Sequence, residues 1–178
     1  KQQKRFRIRR EDLPALLGPP VLERFPPNKG SRVGAVQGVV YTEYGGDVVV
    51  IEVALLPESP SPEPIILTGH LGEVLQESAQ TAVSCVRSQG EFLGIDIHVL
   101  RKNLHIHVPS ASVPKEGPSA GLAIAVAYAS ALLGRAVRRD VALTGEITLH
   151  GDILPVGGLR EKVMAAQRAG IPFLIVPE

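Results

Sequence analysis

The chain has 178 residues, with 19 Lys and Arg against 18 Asp and Glu and a formal net charge of +1. Hydrophobic residues make up 44% and aromatic residues only 4%, with no Trp, which suits one domain-sized core filled by aliphatic side chains. The balanced charge removes the electrostatic argument for nucleic acid or an anionic membrane surface, no run of 18 apolar residues predicts a membrane span, and the single cysteine, Cys85, excludes an intrachain disulfide.

Residues 1–10, KQQKRFRIRR, carry six Lys or Arg with little apolar content and read as a solvated linker rather than a nucleic-acid arm. The chain starts at Lys1 and shows no charged-then-apolar leader, so a piece of a longer protein is expected. Glu11 to Gly18 suits a short helix that Gly18-Pro19-Pro20 stops, and a Pro- and Gly-containing connector between Pro19 and Ser31 places a domain boundary there. Residues 32–178 are then one domain.

Arg32 to Glu43 and Asp47 to Leu56 are rich in Val and Ile and predict two strands, with Tyr44-Gly45-Gly46 supplying the positive-φ positions of a hairpin turn. Residues 57–64 lack apolar periodicity and predict an exposed loop, and Ile65 to Thr68 a short strand. From Gly72 to Ser88, Val74, Leu75, Ala79, Ala82, Val83 and Val86 recur at helical spacing, so an amphipathic helix is expected, with Cys85 in it as a buried, inert thiol of a reducing compartment.

Leu104 to Val108 alternates, pointing Leu104, Ile106 and Val108 one way and His105 and His107 the other. His-x-His raises a metal reading, but His70, His98 and His150 add no ligand spacing, so no metal is expected. Pro118 to Leu133 predicts a helix that small residues leave narrow on nearly every side, ended by Gly134. Strands are expected at Val141 to Leu143 and Ile147 to Leu149, then Ile153-Leu154-Pro155 after a turn, a helix from Gly158 to Ala169, and a buried strand at Phe173 to Val176. Hairpins mixed with helices give an α/β class with a mixed sheet. No internal repeat and no G-x-x-x-x-G-K-[ST] loop occurs, so no ATPase phosphate cradle lies in this chain.

Two places carry chemistry. In Pro114-Lys115-Glu116-Gly117-Pro118-Ser119-Ala120-Gly121, Pro118 suits a first helical position and sets Ser119 at a helix N-terminus. There unbonded N–H groups and the helix dipole favour a negative charge, so Ser119 reads as a cap, as part of an anion site, or as a nucleophile with its own N–H facing an oxyanion. A second oxyanion donor is expected from the Lys115-Glu116-Gly117 loop. In Gly157-Gly158-Leu159-Arg160-Glu161-Lys162, the lysine falls in the early turns of a helix, where burial and the dipole both disfavour the ammonium. Moving a lysine from about 10.4 to a useful basicity near neutrality takes about 3 units, or roughly 4 kcal/mol of bias.

PKEGPSAG followed 25 residues after Ser119 by TGEITLHGDILPVGGLREK resembles the proteolytic domain of the Lon protease family. Residues 34–57, the Thr68 to Val74 segment, His105 to Pro109 and residues 170–178 extend the resemblance over most of 32–178. It implies a Lon-protease-like mixed sheet with hairpins and packed helices, and a serine endopeptidase using a Ser–Lys dyad, with Ser119 as nucleophile and Lys162 as general base. It further implies that Thr144 orients the amine, that Glu116 and Gly117 support the nucleophile loop, that Glu52 and Glu146 match acids near the active site, and that the His107 strand leads into that loop. Glu116 stands where the family more often has Asp. Residues 1–31 then resemble a linker and the tail end of an ATPase-like module, and one more helix is expected after Glu178.

The resemblance implies unfolded or damaged proteins as substrates in cytoplasmic protein quality control, and a homohexamer enclosing its active sites. No membrane or nucleic-acid partner is expected. No cofactor is expected in this domain, and ATP and Mg enter only through an active ATPase module elsewhere in the parent protein. Two alternatives remain at this point: a non-catalytic Lon-like assembly or binding module, against which the presence of both Ser119 and Lys162 argues, and an anion-binding protein, which lacks a phosphate loop and a basic surplus.

Overall fold

A computed structural model of the chain describes residues 7–18, 31–42, 45–57, 65–109 and 115–178. Its central feature is a long hairpin in which β1 (Ala35–Thr42) pairs antiparallel with β2 (Gly45–Leu56), from Ala35 opposite Glu52 to Thr42 opposite Gly45. This register moves the turn from the expected Tyr44-Gly45-Gly46: Gly45 and Gly46 are strand residues, and positions 43 and 44 between the strands lie outside the described residues. Gly46 is needed there for room, since a Cβ on it would overlap the Glu161 carbonyl of a helix packed across the strand.

Around the hairpin, β3 (Ile65–Thr68), β4 (Asn103–His107), β5 (Val141–Leu143) and β8 (Phe173–Ile175) complete a six-stranded sheet in the order β3-β4-β2-β1-β5-β8. The β3–β4, β1–β5 and β5–β8 pairs are parallel and the other two antiparallel, so the sheet is mixed as expected. A separate two-stranded ribbon joins β6 (Glu146–Ile147) to β7 (Ile153–Leu154); the β6 strand is shorter than the expected Ile147 to Leu149.

Period-2 alternation sends Val36, Ile51, Val53, Leu104 and Ile106 to one face of the sheet, where α2 (Glu73–Ser88) and α4 (Gly121–Leu133) cover them. Leu75, Ala79, Ala82, Val83 and Val86 of α2 and Ala123, Ile124 and Ala127 of α4 pack into this core. Burial of each large aliphatic side chain there contributes about 1.5–3 kcal/mol. Val74, counted with the apolar stripe by its spacing, is instead exposed at the start of α2. Cys85 is buried in the core with its thiol pKa raised by burial.

The opposite face carries Val39 and Ala142, and α5 (Leu159–Arg168) covers it through Ala166, with Ile171 beside it. The expected helix from Pro118 is divided: Pro118–Ala120 form a 3-10 turn and α4 proper starts at Gly121, ending at Gly134 in the left-handed conformation. Two short helices, α1 (Leu13–Leu17) after a 3-10 turn at Arg10–Asp12, and α3 (Ile97–Leu100), complete the list among the described residues; α3 has no counterpart in the sequence reading. The strand expected to be buried at Phe173 to Val176 is an edge strand with Phe173 52% exposed, because β5 is its only strand partner among the described residues. The expected domain boundary at 19–31 falls almost wholly outside the described residues, as does most of the 57–64 loop.

Candidate active site

Ser119 is the middle residue of the 3-10 turn that leads into α4. Gly117 takes φ 93°, a conformation open to glycine and costly for other residues, and so turns the chain into Pro118. The turn is held from two sides. The Ser119 carbonyl oxygen accepts the Gly145 N–H at 2.9 Å and the Thr144 hydroxyl at 3.2 Å, while Ser78 Oγ on α2 donates to the Pro118 carbonyl at 3.1 Å. Ser119 itself is half-buried, and its N–H, in a first helical turn, has no acceptor within the helix.

Lys162 is the fourth residue of α5 and only 1% exposed. Burial lowers its pKa, because taking the ammonium out of water disfavours the charged form. Its backbone N–H bonds the Gly158 carbonyl at 3.0 Å, and the start of α5 fits closely over the hairpin, with Gly158 against the Tyr41 ring and the Glu161 carbonyl against Gly46. The Ser119 turn and α5 therefore both abut β1, one from the α4 side and one across the opposite face. No hydrogen bond joins Ser119 Oγ to Lys162 Nζ among the described residues.

The supporting residues are placed differently from expectation in two cases. Thr144 is fully buried, but its hydroxyl donates to the Ser119 carbonyl and not to the Lys162 amine. Gly117 N–H, from the loop expected to supply a second oxyanion donor, is given to Glu116 Oε1 at 3.2 Å. Glu116 also accepts the Val74 N–H of α2 at 3.1 Å.

Glu52 lies opposite His107 in the β2–β4 ladder, on the face that α5 covers elsewhere. Thr68 Oγ1 contacts both His105 Nε2, at 2.8 Å, and His107 Nδ1, at 2.7 Å, fixing both rings. A shallow cavity there is lined by Arg32, Gly34, Glu52, Ala54, His105 and His107, and neither Ser119 nor Lys162 reaches it. Glu146 is half-buried in β6. Among the described residues no group of three or more His, Cys, Asp or Glu side chains is placed to hold a metal ion, and no helix is long and apolar enough to cross a membrane.

Sequence reasoning missed Lys115. It is 6% exposed, its Nζ donates to the Gly69 carbonyl at 3.0 Å, and burial lowers its pKa as well. Its backbone donates to the His70 carbonyl at 3.2 Å and accepts the Gly72 N–H at 2.9 Å, an isolated parallel bridge that sequence periodicity does not reveal.

Against known proteins, residues 7–178 match the family model described as the Lon protease (S16) C-terminal proteolytic domain. The chain is 49% identical over 172 residues to the Lon protease of Dictyoglomus thermophilum, covering 96% of this chain and 21% of that protein. It is 47% identical over 178 residues to Lon protease 1 of Bacillus subtilis, covering 99% and 23%, and 47% identical over 180 residues to Lon protease 2 of Thermus thermophilus, covering 99% and 22%. The chain thus spans about a fifth of the length of these relatives.

Proposed function

Since the chain belongs to the Lon protease (S16) family as its C-terminal proteolytic domain, a serine peptidase, we propose that Ser119 is the nucleophile and Lys162 the general base of peptide-bond hydrolysis. The observation that carries this reading is the burial of Lys162: a lysine 1% exposed, with its ammonium disfavoured, is poised to accept a proton. In the cycle, neutral Lys162 takes the Ser119 hydroxyl proton as Oγ bonds the substrate carbonyl carbon. Charge then develops on the carbonyl oxygen, and Ser119 N–H in the 3-10 turn is a preorganised donor for it. The Lys162 ammonium returns the proton to the leaving amine as the peptide bond breaks, leaving an acyl-serine. Water, deprotonated by the same amine, releases the acid and restores Ser119. The hydrogen bond between Oγ and Nζ has to form when substrate binds, as catalytic hydrogen bonds often tighten only in the complex.

Unfolded polypeptides are the proposed substrates. β1 pairs with β5 only at Gln37 and Gly38, so its edge from Val39 to Thr42 has no strand partner among the described residues. Leu143 pairs with Gly38, and the next two residues, Thr144 and Gly145, hold Ser119, so the open edge begins beside the nucleophile. An extended chain laid there gains main-chain hydrogen bonds whatever its sequence, which a folded protein cannot offer. The same family membership supports a homohexamer acting on damaged proteins in the cytoplasm, no cofactor in this domain, and ATP and Mg only through a separate ATPase module.

The test is Ser119→Ala. The variant removes one oxygen, keeps its fold by circular dichroism and thermal melting, and loses cleavage of an unfolded substrate such as casein. Cleavage retained by well-folded Ser119→Ala protein overturns the nucleophile assignment.

A further inference from the structure

We propose that Glu116 is a positioning residue that latches the Ser119 turn onto the N-terminus of α2, its carboxylate seated over Gly72. The inference rests on Ser119 being the nucleophile.

Helix α2 has 16 residues and begins after Gly72, which has no side chain with which to cap it. Its first N–H groups lack intrahelical acceptors and sit at the positive end of the dipole. The missing cap comes from 42 residues further along the chain: Glu116 Oε1 accepts the Val74 N–H at 3.1 Å. The same oxygen holds Gly117 N–H at 3.2 Å, so one carboxylate joins the start of α2 to the residue that turns the chain into Pro118-Ser119. Such bonds to an ionised acceptor are stronger than neutral ones.

Gly72 lies directly beneath this carboxylate. Its φ of −69° and ψ of 168° are ordinary extended backbone, open to any residue. A Cβ there would meet only the end of the Glu116 side chain, so the carboxylate would have to swing aside. The Gly72 N–H also bonds the Lys115 carbonyl, and Ser78 one turn further along α2 holds the Pro118 carbonyl. The strand-like bridge fixes residue 115 and Ser78 fixes residue 118. Glu116 fixes the span between them, where Gly117 is otherwise the most flexible residue of the turn.

The contact provides a clean perturbation. Gly72→Ala evicts the carboxylate without touching Glu116, and Glu116→Gln keeps the shape while removing the charge. The measurements are kcat and KM on a fluorogenic peptide, the rate of Ser119 acylation by a fluorophosphonate, the melting temperature, and hydrogen exchange of the 115–119 amides. Each variant lowers kcat and acylation by about tenfold with KM within about twofold, as expected for lost orientation of a nucleophile. Amide exchange at Gly117 and Ser119 rises in both. Glu116→Asp recovers part of the rate. Gly72→Ala/Glu116→Ala is no slower than Glu116→Ala alone, because the added methyl group then has nothing left to displace.

Wild-type acylation and exchange in Gly72→Ala, or losses that multiply in the double variant, overturn the latch. Should Gly72→Ala not fold, Glu116→Gln with unchanged exchange and rate overturns it equally. A probe that labels Ser119→Ala as well as wild type instead overturns the nucleophile reading, and amide exchange then still decides whether Glu116 holds the turn.

Discussion

The buried Thr144 hydroxyl donates to the backbone carbonyl of Ser119 over 3.2 Å, so the residue after β5 anchors the main chain of the candidate nucleophile. The Gly145 N–H bonds the same oxygen at 2.9 Å, which leaves that carbonyl satisfied if the hydroxyl is lost. Thr144→Val therefore costs about 1 kcal/mol of stability and no more, since no buried group is orphaned. For a domain of this size that is a fall of roughly 2–4 °C in melting temperature. If the bond also holds Ser119 in line for attack, kcat/KM falls up to about tenfold, each factor of ten corresponding to 1.4 kcal/mol. Calorimetry and a peptide assay on the same preparation separate the two effects.

Burial holds the Lys162 pKa below its ordinary value, so activity that needs the neutral amine rises with pH through a midpoint below about 10.4. The pH dependence of kcat/KM for a small peptide measures this, with the fold checked at each pH. Lys115 is also shifted downward by burial, and Lys115→Met distinguishes the two lysines: the midpoint stays in that variant if Lys162 is the base. A profile flat from about pH 6 to 10, or rising only near 10.4, counts against Lys162.

Lys162→Met and Lys162→Arg both abolish peptidase activity, the first for want of a base and the second because guanidinium does not deprotonate in this range. Their stabilities diverge. The folded-state pKa of Lys162 lies below the unfolded value, so between the two the unfolded chain binds more protons and stability rises with pH. The cost is present in full below the folded pKa and is relieved as pH climbs towards about 10.4. Lys162→Met removes it, and should melt higher than wild type at pH 7 by a margin that shrinks by about pH 10. Lys162→Arg keeps a buried charge that cannot be shed and should melt lower. Melting curves across that range check both signs.

Gly46→Ala places a methyl group against the Glu161 carbonyl, where the backbone of α5 has to move. Overpacking of this kind costs typically 1–3 kcal/mol. Displacing the backbone one residue before Lys162 should reduce activity by more than the loss of stability accounts for. A change in kcat much larger than that in Gly45→Ala is the expected result, because a Cβ on Gly45 meets nothing within 4 Å, although its φ of 109° brings some strain.

Most of the secondary structure, and the two residues proposed for the chemistry, have local causes in the sequence. Alternation around Ile106, helical spacing from Leu75 to Val86, and Gly134 after a run of small residues each have a local cause, and the structure follows them. Pro118 before Ser119 and Gly158 before Lys162 placed both groups at the starts of helices by the same local logic, and two motifs in fixed order carried the family.

Which partners those groups have depends on how distant segments meet in the fold. The hairpin register turned Gly45 and Gly46 from turn residues into strand residues, because pairing across many residues outweighs a local glycine preference. Phe173 and Ile175 read as buried by their apolar run, yet their place at the sheet edge leaves them open. Thr144 bonded to Ser119, Lys115 buried beside Gly69, and Glu116 seated against Gly72 join segments 25 to 46 residues apart. No periodicity records such contacts, since they depend on where the sheet sets the ends of α2, α4 and β5 in space. The burial of Lys162 is of the same kind: its position in the helix was legible, but the low-dielectric surroundings that favour its neutral amine exist only once α5 closes over the hairpin.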